Sequence, residues 1–186
     1  MYGTKPLRSW LKRELAKAKY GCESSDPLLV CPRITSNTDL RTCRAAVLPG
    51  GSATSTTLLG FAFERVDIEA AVVVFNSFCF DYALRLRTSG PSVRTNQMRH
   101  MPVPPASVTN LLPRVPTVCG WEYGINHITE LKEHWEALWV ANKAVAQAYG
   151  LSQDDFRHVL AAFPMFAKRH EEFFSFLTTR LDSEAW

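Results

Sequence analysis

The sequence predicts an α+β fold: a small mixed β-sheet with a long buried helix, followed by an all-helical C-terminal segment. Three observations predict it. Three short runs rich in apolar and β-branched residues, 28–34, 42–48 and 56–64, are separated by turn formers at 35–38 and at Pro49-Gly50-Gly51-Ser52. The stretch that begins at Ala70 is too apolar for a surface helix and gains charge mainly at its far end, through Arg85 and Arg87. Beyond Gly120 apolar residues recur at helical spacing. With 186 residues, 46% hydrophobic and 21% charged, the chain has enough apolar surface for a core.

Residues 6–19 read as a helix or arm, with Pro6 at a first helical position and Leu7, Leu11 and Leu15 four residues apart. Its other faces carry Lys5, Arg8, Lys12, Arg13, Lys17 and Lys19 against Glu14. Such a surface either follows a phosphate backbone or is simply solvated. Pro32 places the first strand near an edge or bulge. The Pro49–Ser52 turn lacks the Lys-Ser/Thr pair of a phosphate-binding loop. Asp67 is placed to cap the buried helix, and Gly90 to follow its end with positive φ. Residues 95–100 form a short helix with Val93, Met98 and Met101 buried, Pro102, Pro104 and Pro105 force an extended exit, and 107–112 allow one more helical turn.

In the last third, Ile128, Leu131, Trp135, Leu138, Asn142, Val145 and Tyr149 alternate steps of three and four, a seam with one polar residue that fixes its register. Gly150 stops that helix. Ser152 with Asp155 makes a capping box for the next, Pro164 breaks it, and Phe166, Phe173, Phe174, Phe176 and Leu177 give the closing helix an apolar face. A division at 1–120 and 121–186 follows, with 1–20 as the basic arm.

Several chemistries are disfavoured. Cys22, Cys31, Cys43, Cys79 and Cys119 are odd in number and contain no Cys-x-x-Cys pair, which suits buried thiols in a reducing compartment better than a zinc site. The five histidines form no ligand set, no Gly-x-Ser-x-Gly elbow occurs, and Cys119 has no identifiable base. Charged residues interrupt the start of the chain, and no run of about 18 apolar residues exists, so a cytoplasmic protein without a membrane partner is expected.

Charge is distributed unevenly. Residues 1–121 hold fifteen Lys and Arg against eight Asp and Glu, whereas 122–186 hold six against ten. Between Asp81 and Glu122 there is no acidic residue, only Arg85, Arg87, Arg94, Arg99 and Arg114. The front of the chain therefore suits a polyanion. Arg94, Thr95, Asn96, Gln97 and Arg99 are candidates for base edges: Arg matches guanine, and Asn or Gln matches adenine. Arg33, Arg41, Thr42, Arg44, Arg85, Arg87, Lys12 and Arg13 are candidates for phosphate contact.

The run Phe75-Asn76-Ser77, Phe80-Asp81-Tyr82, Arg85, Arg87, Gly90, Val93, Met98 and Met101-Pro102-Val103-Pro104 resembles the target recognition domains of adenine-N6 DNA methyltransferases of the fused restriction-modification type. Upstream, Arg33, Asn37, Arg41-Thr42 and Ala45 to Pro49 match the same pattern. Downstream, Ala148 to Ser152, Asp155-Phe156, Val159-Leu160 and Phe163-Pro164 match it too. The resemblance implies double-stranded DNA as a partner and a methyltransferase or restriction polypeptide as another. Such enzymes bind S-adenosylmethionine through a Gly-containing loop and hold a flipped adenine with an Asn-Pro-Pro-Tyr-like motif. Neither occurs here, so no cofactor is expected in this chain and it is no enzyme by itself; it corresponds to a split subunit or to part of a larger enzyme. Pro91 and Ser92 before Val93, and Ile34 after Arg33, depart from the family pattern. Another target sequence or a loss of reading follows, and in the latter case the chain is an assembly or inhibitory subunit.

Overall fold

The structure, a computed structural model, describes residues 26–36, 38–52, 54–114 and 130–186. It is α+β. Strands β1 (Leu28–Pro32), β2 (Ala46–Leu48) and β3 (Leu58–Phe61) form one sheet in the order β2-β1-β3. β1 faces β2 in the register Leu29↔Val47 and β3 in the register Val30↔Gly60. Both pairings are antiparallel, where the sequence suggested a mixed sheet. No helix lies between the strands, and a parallel pairing needs a crossover of roughly a dozen residues or more, usually helical.

The strands are shorter than their apolar runs. β2 begins at Ala46 and not at Thr42 because the preceding amides are taken elsewhere: Thr42 donates to the Asp81 carboxylate at 3.0 and 3.1 Å, and Ala45 to Asn76 Oδ1 at 2.7 Å. Past Pro32 the chain leaves the sheet and pairs with another partner, as Ile34 forms a bridge with Ser92.

The single long helix of the sequence reading is two helices, α1 (Ile68–Phe75) and α2 (Phe78–Arg85). Asp67 caps the first, accepting from Glu69 N and Ala70 N at 2.8 and 3.3 Å. The break falls at Asn76-Ser77, two residues whose short polar side chains compete with helical hydrogen bonds. Asn76 turns its amide onto both backbone groups of Ala45, and Ser77 caps α2 by accepting from Phe80 N at 3.1 Å. The end of α2 needs no glycine: Thr88 returns its hydroxyl to Leu84 O at 2.9 Å. Among the described residues only Gly51 and Gly150 have positive φ, so the role expected of Gly90 is absent, and a Cβ there would meet nothing.

After α3 (Thr95–Arg99) and the single turn α4 (Ala106–Thr109), a short 3-10 turn at Lys132–His134 leads into α5 (Trp135–Ala148). Gly150, at φ 71°, ends α5, with Leu151 N donating to Ala146 O at 3.0 Å. α6 (Gln153–Ala161) starts with the Ser152–Asp155 capping box. Pro164 opens α7 (Pro164–Arg169), where its fixed φ is already helical, and α8 (Glu171–Ser183) follows.

One hydrophobic cluster runs from the sheet through α1 and α2 into the C-terminal helices. α2 packs on α5 and α6, and the Phe78 ring meets Phe163 and Phe166 edge-on at 5.0 and 5.2 Å. On the α5 seam Leu138, Asn142 and Val145 are buried. Asn142 does more than set register: its Oδ1 accepts the orphan Phe78 N at 2.9 Å and so supports the start of α2. Ile128 of the same seam and the helix expected at 6–19 lie outside the described residues. Cys31, Cys43 and Cys79 are free, buried thiols; the Cys31 thiol and burial raise Cys43 well above the usual range, and burial pushes Cys79 up to about 12. No helix among the described residues is long and apolar enough to cross a membrane.

His170 joins α7 to α8, with its ring 4.7 Å from that of Phe166 and its Nε2 buried without a partner. Burial lowers its pKa, the Glu130 carboxylate opposing this and Arg169 adding to it. A histidine held neutral by the fold binds its proton more readily when unfolded. Its contribution is therefore complete above the ordinary value of 6.5 and is lost as pH falls through it. The urea midpoint is expected to drop between pH 8 and pH 5, and His170→Gln should flatten that drop; an equal slope in both proteins contradicts the assignment.

Candidate nucleic-acid interface

Arginines divide this region into a buried set and a surface set. Arg41 is 2% exposed and its Nε donates to Asp81 Oδ2 at 2.7 Å. Its Nη2 reaches the Asn76 and Ser77 carbonyls, at the break between α1 and α2, at 2.6 and 3.0 Å. Thr42 is 1% exposed, with its hydroxyl on Ser36 O. Arg85 gives Nε to Asp81 Oδ1 at 3.1 Å and Nη2 to the carbonyls of Asp39 and Leu40. The guanidinium planes also lie over rings, Arg41 on Phe78 at 4.4 Å and Arg85 on Phe163 at 4.1 Å. Arg41, Thr42 and Arg85 were candidates for phosphate contact. All three correct to structural roles, because their donors are spent inside the protein. Arg44 is half-buried, with its Nε lacking a partner. Lys12 and Arg13 lie outside the described residues.

The surface set is assembled by a short antiparallel ribbon. Val93 N donates to Arg33 O at 2.8 Å and Thr35 N to Pro91 O at 3.2 Å, which sets Ile34 opposite Ser92. Arg94 continues the extended strand at φ −91°, ψ 148°, and α3 then begins. Val93, Met98 and Met101 are buried beneath and hold this segment to the core. Arg33, Arg87, Arg94, Thr95, Asn96 and Arg99 are all exposed around it. The carboxylate of the adjoining loop, Asp39, is turned onto Thr35 and Ser36.

Gln97 is the exception among the five base-reading candidates. Its Oε1 accepts from Arg94 N at 2.7 Å and its Nε2 donates to Arg87 O at 2.6 Å. Both polar ends are occupied, so Gln97 braces the turn after α2 against the start of α3 and is not free to reach a base. The spacing of Arg94 and Gln97, first residue and third helical residue, is that of a capping box and is the signal in the sequence that points to this role. Nothing in the sequence indicated the Ile34–Ser92 bridge, since it joins segments far apart in the chain.

Arg33 and Arg87 therefore reach the same neighbourhood as Arg94 and α3 from two other parts of the chain. What this surface offers is guanidinium forks and an exposed amide, donors suited to phosphate oxygens and to base edges. Among the described residues no group of three or more His, Cys, Asp or Glu side chains is placed to hold a metal ion. No protein-family model matches the chain, and neither the curated proteins nor the solved structures yield a match.

Removing the brace should loosen α3 without disturbing the core. Gln97→Ala deletes two hydrogen bonds at about 1 kcal/mol each, so amide exchange at Met98 to Met101 is expected to accelerate on the order of tenfold or more. Exchange in α1 and α5 should be unchanged; acceleration there as well would mean that Gln97 supports the whole fold.

Proposed function

We propose that the chain is a DNA target-recognition module of a restriction-modification or phage-defence adenine-N6 methyltransferase system, with catalysis on another polypeptide or another part of a longer protein. The observation that carries this reading is the convergence of exposed Arg33, Arg87, Arg94 and Arg99 around one ribbon and one short helix, in a stretch with no acidic residue from 82 to 121. In this reading Arg33 and Arg87 contact phosphates and fix orientation, while Arg94, Asn96 and Arg99, with Thr95, face base edges. Buried Val93 and Met98 hold the readers to a rigid core, which is what discrimination between bases requires. S-adenosylmethionine belongs to the catalytic partner.

A second reading, an assembly or inhibitory subunit that no longer binds DNA, is favoured by the apolar surface of Val103, Val108 and Leu111, the last 83% exposed. Salt separates the two. Two phosphate contacts imply that affinity for duplex DNA falls on the order of tenfold between about 50 and 200 mM salt. An apolar assembly surface is nearly indifferent to that change.

Fluorescence anisotropy with a random-sequence duplex library at the two salt concentrations makes the test, and sequencing the retained duplexes reads any preference. On the selected site, Arg94→Ala is expected to cost about 1–3 kcal/mol and on random duplex almost nothing. Equal losses on both would make Arg94 a backbone contact. Absence of binding at low salt would reject the DNA reading.

A further inference from the structure

The ribbon carries one side chain that phosphate and base contacts leave unused. Ile34 is 64% exposed, although it sits on a backbone fixed on both sides by main-chain hydrogen bonds from Val93 and Thr35. Side chains alternate across a strand, so Ile34, its partner Ser92 and Arg94 share one face of the ribbon. The buried Thr35 and Val93 belong to the other. Thr35 is locked further by its hydroxyl on Asp39 at 2.9 Å. Isolated apolar residues on a surface are ordinary. Ile34 differs in being a β-branched side chain, stiff at χ1, held rigidly on the face that carries the exposed cation Arg94, while the exposed Arg33 starts from the opposite face.

Arg94 attracts a polyanion to this face, and the apolar group beside it then meets what lies behind the phosphates of a duplex, the stacked bases. Resting on the DNA reading above, we propose that Ile34 is a wedge that enters a base step beside the one contacted by Arg94, unstacks it and kinks the duplex. Arg94 holds the adjoining base edge while the Ile34 side chain replaces the lost stacking with apolar contact. Discrimination then comes partly from the deformability of that step, in addition to hydrogen bonds to base edges.

A wedge binds more tightly to DNA in which unstacking has already occurred, a preference that needs no knowledge of the target sequence. Anisotropy should be compared for an intact duplex of about 30 base pairs and for the same duplex with one unpaired nucleotide at its centre. The wild-type chain is expected to favour the bulged duplex about tenfold or more. Ile34→Ala should erase that preference with little change on the intact duplex, and Ile34→Phe should keep it. Arg33→Ala, which removes a phosphate contact, should weaken both complexes. Equal affinity of the wild type for both duplexes, or a preference that survives Ile34→Ala, overturns the wedge and leaves DNA binding standing. Failure to bind either duplex overturns both.

Discussion

The carboxylate of Asp81 has no exposed surface, yet it accepts from Arg41 Nε, Thr42 N and Arg85 Nε within 3.1 Å. A lone buried charge of this kind would cost several kcal/mol, and it persists here because its oxygens are engaged from two segments of the chain. The two arginines in turn donate to carbonyls at the break between α1 and α2, Asn76 and Ser77, the latter also accepting from Asp81 N, and to those of Asp39 and Leu40 in the loop that precedes β2. The node therefore determines where the long apolar stretch breaks, where β2 begins and how the loop after β1 is held. That loop follows directly on the ribbon that carries Ile34 and Arg33.

Most of the polar residues of the blocks 33–49 and 75–88 that are buried have architectural work. Arg41, Thr42, Asn76, Ser77 and Asp81 form the node and its attachments, and Phe80 stacks on Phe75 at 4.4 Å beside it. None of these touches solvent appreciably. The core leaves the side chains of Arg33, Arg87, Arg94, Asn96, Arg99 and Ile34 exposed, and under the proposed function these are the ones that meet the partner. A surface of this composition is tuned by substitution at its tips without disturbing what supports it, because the supporting bonds of Gln97 end on main-chain groups.

Elements whose signals are local were legible in the sequence. The cap at Asp67, the box at Ser152 and Asp155, the stop at Gly150 and the seam through Leu138, Asn142 and Val145 depend on spacings of three or four residues, and the structure has them where expected. Features that depend on long-range pairing were not. The break at Asn76-Ser77 is stabilised by Ala45, Arg41 and Asn142, between 31 and 64 residues away, and the local competition of two short polar side chains does not by itself end an apolar run such as 70–75 continued by Phe78 and Phe80. The same limit applied to the site. An arginine's composition says cation; whether it meets phosphate or a buried carboxylate is decided by Asp81, 40 residues from Arg41. Arg94 and Arg99 are exposed, whereas both polar ends of Gln97 are bound to the backbone.

The account stands on that division between buried and exposed arginines, and equilibrium unfolding of Arg41→Ala in urea tests it most directly. Removing one partner of a buried pair leaves Asp81 short of a donor and the Asn76 carbonyl without the Arg41 guanidinium, so a loss of about 3–5 kcal/mol is expected. Unchanged stability, accompanied by a loss of DNA affinity, would contradict it, because Arg41 would then be a ligand for the partner and not the centre of the fold.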